Sequence, residues 1–378
     1  MNIPDARGQS DTQHEGGAAP GAPRDDDAAA IAAHPGGGEP TADRPGGGDA
    51  ALQRRTKVRA WFRLLRVPNL FTVPGDPAAG FLLAWTVAPG RPSAAAILPA
   101  ILACLLLYSA GLLLNDFFDL GEDRRDRPTR PLPAGDVRPL TALITALVLL
   151  ALGIAAAILA GAAAGAAAGA LAAAIVIYDA GGKRSWILGP MNMGVCRGLS
   201  LLVGAAAAGG WLGLKAWPAL ASAVGLALYV TVVTAIAKGE TRAARIGARR
   251  FLPPAVLLAW LGLMFAALCR PWVQSLLGNQ LGQAGAEMFL LHALPCMILS
   301  AAAIAVSMCL GVRYAMDLKG APDPATVQAA VGGLIRNLLP AQAALAAMSL
   351  ARGSLLAAGV LLVAWPLSLR LGRSFDAS

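Results

Sequence analysis

Residues 139–178 read PLTALITALVLLALGIAAAILAGAAAGAAAGALAAAIVIY, with no charged side chain anywhere in the stretch. A helix rises about 1.5 Å per residue and bilayer hydrocarbon is about 30 Å thick, so this segment is two spans long. It is expected to fold as a transmembrane hairpin turning near Gly161. Gly161, Gly165 and Gly169 recur at every fourth position, a face on which small residues let helices approach closely.

The composition extends that reading to the rest of the chain. Of 378 residues, 56% are hydrophobic and 14% charged, with a mean hydropathy of +0.59. Soluble domains carry about a quarter charged residues. Apolar segments at roughly 67–88, 93–114, 138–159, 161–178, 190–211, 214–237, 252–270, 287–312 and 354–372 predict an all-α polytopic bundle of about nine transmembrane helices. Residues 323–350 are only mildly apolar and contain Arg336 and Pro340, which predicts a re-entrant or surface helix.

Charge divides the chain into two parts. Residues 1–50 hold nine acids and three bases, a balance of −6 within a net +9, which leaves +15 on residues 51–378. The first part is rich in Gly, Pro, Ala and Asp without periodicity, so it is expected to be a disordered tail ahead of a membrane domain over 51–378. No basic segment followed by an apolar run opens the chain, so no signal peptide is expected. The bases of the second part sit between apolar runs, which points to lipid headgroups and phosphorylated substrates as partners rather than nucleic acid.

Those bases also predict an orientation. They cluster at 54–66, 124–138, 183–184, 238–250 and 313–319, while the alternate loops hold little beyond Arg91, Lys215 and Arg270. By the positive-inside rule this is a multi-pass protein of the cell membrane with a cytoplasmic N-terminus. Nine spans leave Arg370 and Arg373 on the far side, so eight or ten spans also fit.

Metal and nucleophile chemistry based on Cys or His has little support. Cys104, Cys196, Cys269, Cys296 and Cys309 lie in or beside apolar segments without CxxC spacing, and are expected to be buried thiols. His292 is the only His outside the tail. The acids tell more. Of thirteen after residue 50, five fall between 116 and 126, in the segment NDFFDLGEDRRD that starts at Asn115. On a continuous helix Asn115, Asp116, Asp119, Glu122, Asp123 and Asp126 share one face. Like charges so placed repel, and a hard cation such as Mg²⁺ is held by one or two carboxylates while keeping positions for phosphate oxygens. The alternative is a solvated helix end paired with Arg124, Arg125 and Arg127.

Asn115-Asp116-x-x-Asp119-x-x-x-Asp123, followed by Arg130-Pro-Leu-Pro-Ala-Gly135, resembles the first aspartate-rich motif and the loop after it in the UbiA superfamily of intramembrane prenyltransferases. Tyr178-Asp-Ala-Gly-Gly-Lys183 is similar to that family's tyrosine and lysine loop, and the likeness covers about residues 60–372. The resemblance implies that Asn115, Asp116, Asp119 and Asp123 hold Mg²⁺ against a prenyl diphosphate, with Tyr178 also at the substrate. It implies that Lys183 and Arg130 neutralise the departing diphosphate, and that the prenyl group passes to an aromatic or other lipophilic acceptor. Asp116, Asp119 and Lys183 are then the catalytic set.

Three further features come from the residues themselves. Arg197 lies inside an apolar segment, where an ionisable side chain is a functional candidate with an acid or a bound phosphate as partner. Asp76 sits between Pro74 and Pro77, which break a helix and free carbonyls, so Asn69 or Asp76 is expected to face an acceptor pocket. Where the family carries a second aspartate motif, this chain has Lys238, Glu240 and Arg242. The two bases are expected to supply directly the positive charge of a second metal, with Glu240 holding the remaining ion or orienting one of them.

These features also bear on other functions. A non-catalytic relative that binds or moves an isoprenoid or aromatic metabolite is compatible with the altered second motif. A CDP-alcohol phosphotransferase lacks its DGxxAR signature here. A transporter of inverted repeats requires a second broken helix matching Pro74–Pro77.

Overall fold

A computed structural model of the chain describes residues 58–85, 93–238, 246–278, 281–320, 322–351 and 353–375, and their regular structure is entirely helical. The tail over 1–50, the Arg91 loop, Glu240 and Arg242 lie outside the described residues.

A short helix over 58–64 (α1) leads to α2 (Val67–Leu70) and α3 (Gly75–Trp85). Next come α4 (Ile97–Phe118), α5 (Leu120–Asp126), α6 (Pro139–Ala160), α7 (Ala162–Ala180), α8 (Leu188–Gly213) and α9 (Trp217–Lys238). The C-terminal half holds α10 (Leu252–Leu277), α11 (Gln283–Met288), α12 (Leu294–Asp317), α13 (Pro324–Arg336), α14 (Leu338–Met348) and α15 (Ser354–Phe375).

The hairpin forms where the uncharged stretch places it. Only Gly161 separates α6 from α7, and its φ of 134° is open to glycine but strained for other residues. Of the glycine face, a side chain on Gly165 would press on Ile158 across the hairpin, whereas one on Gly169 would meet open space. The packing face is therefore narrower than the four-residue repeat suggests. Leu140, Leu147, Leu159 and Leu263 are exposed along the long helices, as an outer surface in contact with lipid requires.

Among the described residues seven helices are long and apolar enough to cross a membrane, and Ser354–Arg370 is a shorter apolar helix. Two of the nine expected spans are not among those seven. The first expected span is broken at 71–74 into α2 and α3, because Pro74 and Pro77 lack the amide hydrogens a continuous helix uses there. The other is α15 (Ser354–Phe375), which covers the expected 354–372.

Of the re-entrant or surface helix expected within 323–350, the surface alternative is corrected. Every residue of α14 is buried, between α12, α15 and α3. Ala341, Ala343, Ala344, Ala346 and Ala347 lower its hydropathy signal but are what lets three neighbours close around it. Cys104, Cys269 and Cys296 are buried as expected, whereas Cys196 is only partly buried and Cys309 is exposed.

Candidate active site

The acidic segment sits where α4 passes into α5, and Asp119 is the only residue between them. The amides of Asp119 and Asp123 still bond to the carbonyls of Asn115 and Asp119, so the face continues through the junction. That face then divides. Asp116 and Asp123 are buried, while Glu122 and Asp126 are exposed.

Three cations from outside the segment meet the inward acids. Lys183 Nζ lies 2.6 Å from Asp119 Oδ1 and donates to Asn115 Oδ1 at 3.1 Å. Arg130 Nη1 reaches both carboxylate oxygens of Asp123, at 3.1 and 2.8 Å, and comes within 3.8 Å of Asp116 Oδ1. Arg66 Nη2 stands 3.6 Å from the same Asp116 oxygen. Among the described residues no such pair involves Arg124, Arg125 or Arg127, so a solvated helix end paired with its own arginines does not describe this cluster.

Local sequence explains how those cations arrive. Leu132 and Val137 are buried in the core and pin the loop after α5, and Gly135 takes the left-handed turn (φ 80°) that returns the chain to α6. Arg130 is thereby folded back onto the acids. Lys183 occupies a single helical turn between α7 and α8, and the amine of Lys238 donates to the carbonyls of Lys183 and Ser185. Lys238 thus braces the Lys183 loop.

Beneath the cluster lies a cavity of about 240 Å³ between α4, α7, α8 and the segment ahead of α3. Arg66, Asn115, Tyr178 and Asp179 line its mouth, and Val73, Leu112, Leu171, Ile175 and Met193 form apolar walls. Along α4 the lining runs from Asn115 to Cys104, about 16 Å at helical rise. The Cys104 thiol and the Ser200 carbonyl, 3.6 Å apart, mark the inner end.

Near that inner end a buried polar network joins three helices. The break before α3 leaves the Asp76 amide bonded to Val73 O, so the carbonyl of Thr72 is freed from the helical ladder. It accepts from Arg197 Nη2 at 3.0 Å and from Gln342 Nε2 at 2.8 Å. Asp76 Oδ1 accepts from the same two donors, at 3.2 and 2.6 Å, and Arg197 Nε lies 2.9 Å from Asp76 Oδ2. Two glycines make the approach possible: a methyl on Gly204 would run into the Pro77 carbonyl, and one on Gly75 into the Gln342 side chain.

The expected site residues therefore fall into three groups. Asn115, Asp116, Asp119, Asp123, Arg130 and Lys183 form the mouth cluster, with Tyr178 beside it. Arg197 lines the cavity and is paired with Asp76, but neither Asp76 nor Asn69 lines it; Arg66 and Val73 of that segment do. Lys238 supports the loop, and Glu240 and Arg242 fall outside the described residues.

Arg66, Asp179, Ser200 and Gln342 were missed. Asp179 stands within the quoted Tyr178–Lys183 motif, its carboxylate buried, and Arg66 was counted only as a topological charge. Gln342 gave no signal, because its partners lie at the other end of the sequence.

The donor chemistry of the mouth fits a hard divalent cation. Asp116 Oδ1 is a buried carboxylate oxygen that accepts no hydrogen bond among the described residues, and Asn115 Oδ1 and the Asp119 carboxylate lie on the same face. No three Asp, Glu, His or Cys side chains among the described residues converge as a ready metal cage. Magnesium commonly takes one or two carboxylates and completes its shell with water and phosphate, so an incomplete cage suits it.

Residues 77–298, more than half of the chain, match the UbiA prenyltransferase family. A digeranylgeranylglyceryl phosphate synthase of Methanosarcina mazei is 28% identical over 239 residues, which is 58% of this chain and 82% of that protein. The enzyme of the same name from Natronomonas pharaonis is 35% identical over 88 residues, 23% of this chain and 30% of its own. A solved structure of a digeranylgeranylglyceryl phosphate synthase shares the fold, with a TM-score of 0.50 and 18% identity over 76% of this chain and 97% of that one. With its long apolar helices and its aspartate-bearing cavity, the chain is a multi-pass membrane protein and belongs to the UbiA prenyltransferase family.

Proposed function

We propose that this prenyltransferase moves an isoprenyl group, in an Mg²⁺-dependent reaction, from a prenyl diphosphate at the cavity mouth to a lipophilic acceptor within the membrane. One observation carries the reading. Three carboxylates of the α4–α5 junction meet three cations from other segments beside an apolar-walled cavity that Asn115 and Arg66 line.

In prenyl transfer the bond between allylic C1 and the diphosphate oxygen breaks, and its electron pair leaves with the diphosphate. A bond then forms from the acceptor nucleophile to C1, and the acceptor loses a proton. Asn115, Asp116, Asp119 and Asp123 are the residues that would hold Mg²⁺, which when bound offsets charge on the diphosphate. Lys183, Arg130 and Arg66 would hold the diphosphate oxygens by charge-assisted hydrogen bonds and stabilise the charge that develops as C–O cleaves. Their present pairing with the acids keeps them in place until the anion arrives. Val73, Leu112, Leu171 and Ile175 would exclude water from the cationic carbon.

The names of the relatives support a lipid phosphate product, digeranylgeranylglyceryl phosphate, as the first to test. Membranes containing the chain, given labelled prenyl diphosphates of several lengths with and without Mg²⁺, should form a prenylated lipid only when the metal is present. Product formed at equal rate in chelator would refute the metal-assisted mechanism.

A further inference from the structure

The inner end of the cavity is polar where a pocket built only for hydrocarbon would not be. Arg197 lines it, and its Nη2 and Nε are engaged by Thr72 and Asp76, but among the described residues no acceptor meets Nη1. Ser200, one turn further along α8, also lines the cavity. Its hydroxyl is buried and has no hydrogen-bond partner among the described residues. Helical hydroxyls usually donate to the carbonyl four residues back, as Ser109, Thr145 and Thr231 do here. Ser222 and Ser307 share the unpaired state of Ser200, but neither lines the cavity.

A prenyl tail cannot rest against this end cheaply. Burying a hydroxyl without a partner is unfavourable, and a guanidinium edge facing hydrocarbon more so. The sign of the missing group also follows. Asp76 already neutralises Arg197, so an added anion would leave a net charge in a low-dielectric interior, while a neutral oxygen would satisfy both donors without one.

We infer that Arg197 and Ser200 form an acceptor subsite that takes a neutral oxygen, a hydroxyl, ether or carbonyl, of the molecule to be prenylated. The inference rests on the proposed prenyl transfer and deepens it. The diphosphate is held at the mouth by Lys183, Arg130 and Arg66. The acceptor is anchored at the opposite end by its oxygen, and its nucleophilic atom is directed back toward the mouth. The prenyl tail then leaves sideways between helices rather than running down the cavity.

The test uses the full chain in nanodiscs and three labelled probes of one shape: 2-naphthol, 2-naphthoate and 2-methylnaphthalene, each corrected for uptake by empty nanodiscs. Wild type should bind 2-naphthol saturably and at least tenfold more tightly than the other two. Ser200→Ala, and Arg197→Lys, which keeps the charge opposite Asp76, should each reduce that preference to under threefold. Both variants should bind geranyl diphosphate within twofold of wild type, which shows that the bundle is intact. No saturable 2-naphthol binding, equal binding of the three probes, or an unchanged preference in both variants would overturn the subsite. Preference for 2-naphthol in a protein that fails to bind geranyl diphosphate would uphold the subsite and remove the prenyl-transfer reading instead.

Discussion

Lys183 and Asp119, from different loops, meet amine to carboxylate at 2.6 Å, and the same amine holds the side-chain oxygen of Asn115. An incoming diphosphate therefore competes for a lysine that is already oriented. Lys183→Ala should weaken prenyl diphosphate binding by about 1.5–3 kcal/mol, the scale of a hydrogen bond to a charged group. Titration of solubilised protein with a labelled prenyl diphosphate measures it, and wild-type affinity in the variant would remove Lys183 from the site.

Asp116→Asn and Asp119→Asn should each abolish turnover while leaving expression normal, since they remove negative charge from the mouth and little volume. Chelation of Mg²⁺ should mimic them in the wild type and be reversed by adding the ion back. Wild-type rates in both variants would rule out the carboxylates as metal ligands.

The role of Lys238 can be separated by a double-mutant cycle. Its amine bonds to the backbone of the Lys183 loop, so Lys238→Ala should act through Lys183. The double variant should bind diphosphate no more weakly than Lys183→Ala alone, because residues that work as one unit are not additive. Full additivity would instead favour direct contact of Lys238 with the diphosphate, as the replacement of a second metal by bases requires.

Two glycine substitutions should have opposite signs. Gly204→Ala places a methyl against the Pro77 backbone and should destabilise by about 1–3 kcal/mol. Gly169→Ala meets nothing within 4 Å and should stabilise α7 by about 0.5–1 kcal/mol. Thermal unfolding in detergent, followed on both variants, checks the pair; a Gly204→Ala protein as stable as wild type would contradict the close α3–α8 contact.

Orientation follows from the distribution of basic residues. Reporter fusions after Arg130 and Lys183 should both report cytoplasmic, and one after Arg91 the opposite side. A periplasmic signal at Arg130 would invert the topology and place the mouth cluster on the outer face.

What was legible in the sequence was local. The α6–α7 hairpin is visible because forty uncharged residues have one way to satisfy their backbone in lipid, and Gly161 marks the turn. The mouth acids are visible because their spacing is helical. Arg197 announced itself as a charge in an apolar run, and its partner Asp76 was noticed for its flanking prolines, though not that the two meet. What escaped depends on distant segments coming together. Gln342 reaches Thr72 and Asp76 across most of the chain, and α14 reads as weakly apolar because alanine scores low on hydropathy while packing well. Arg66 was absorbed into a general basic flank, since a topological arginine and a site arginine look alike until the fold places one of them beside Asp116.

The buried helix α14 has a consequence for how the protein is made. Its eleven residues extend about 16 Å, half the thickness of the hydrocarbon, so it is too short to be threaded across the bilayer by itself. It can settle only after the helices on both sides of it have entered, and those include Ser354–Phe375, which follows it in the chain. Gln342 rides on this helix, so Asp76 waits for its second donor until α15 has been made. A chain released before Ser354 would be inserted, carry every mouth residue and still lack the finished interior. Assembly of the innermost layer thus waits on α15, and Asp76 stays incompletely bonded in the membrane until that helix is in place.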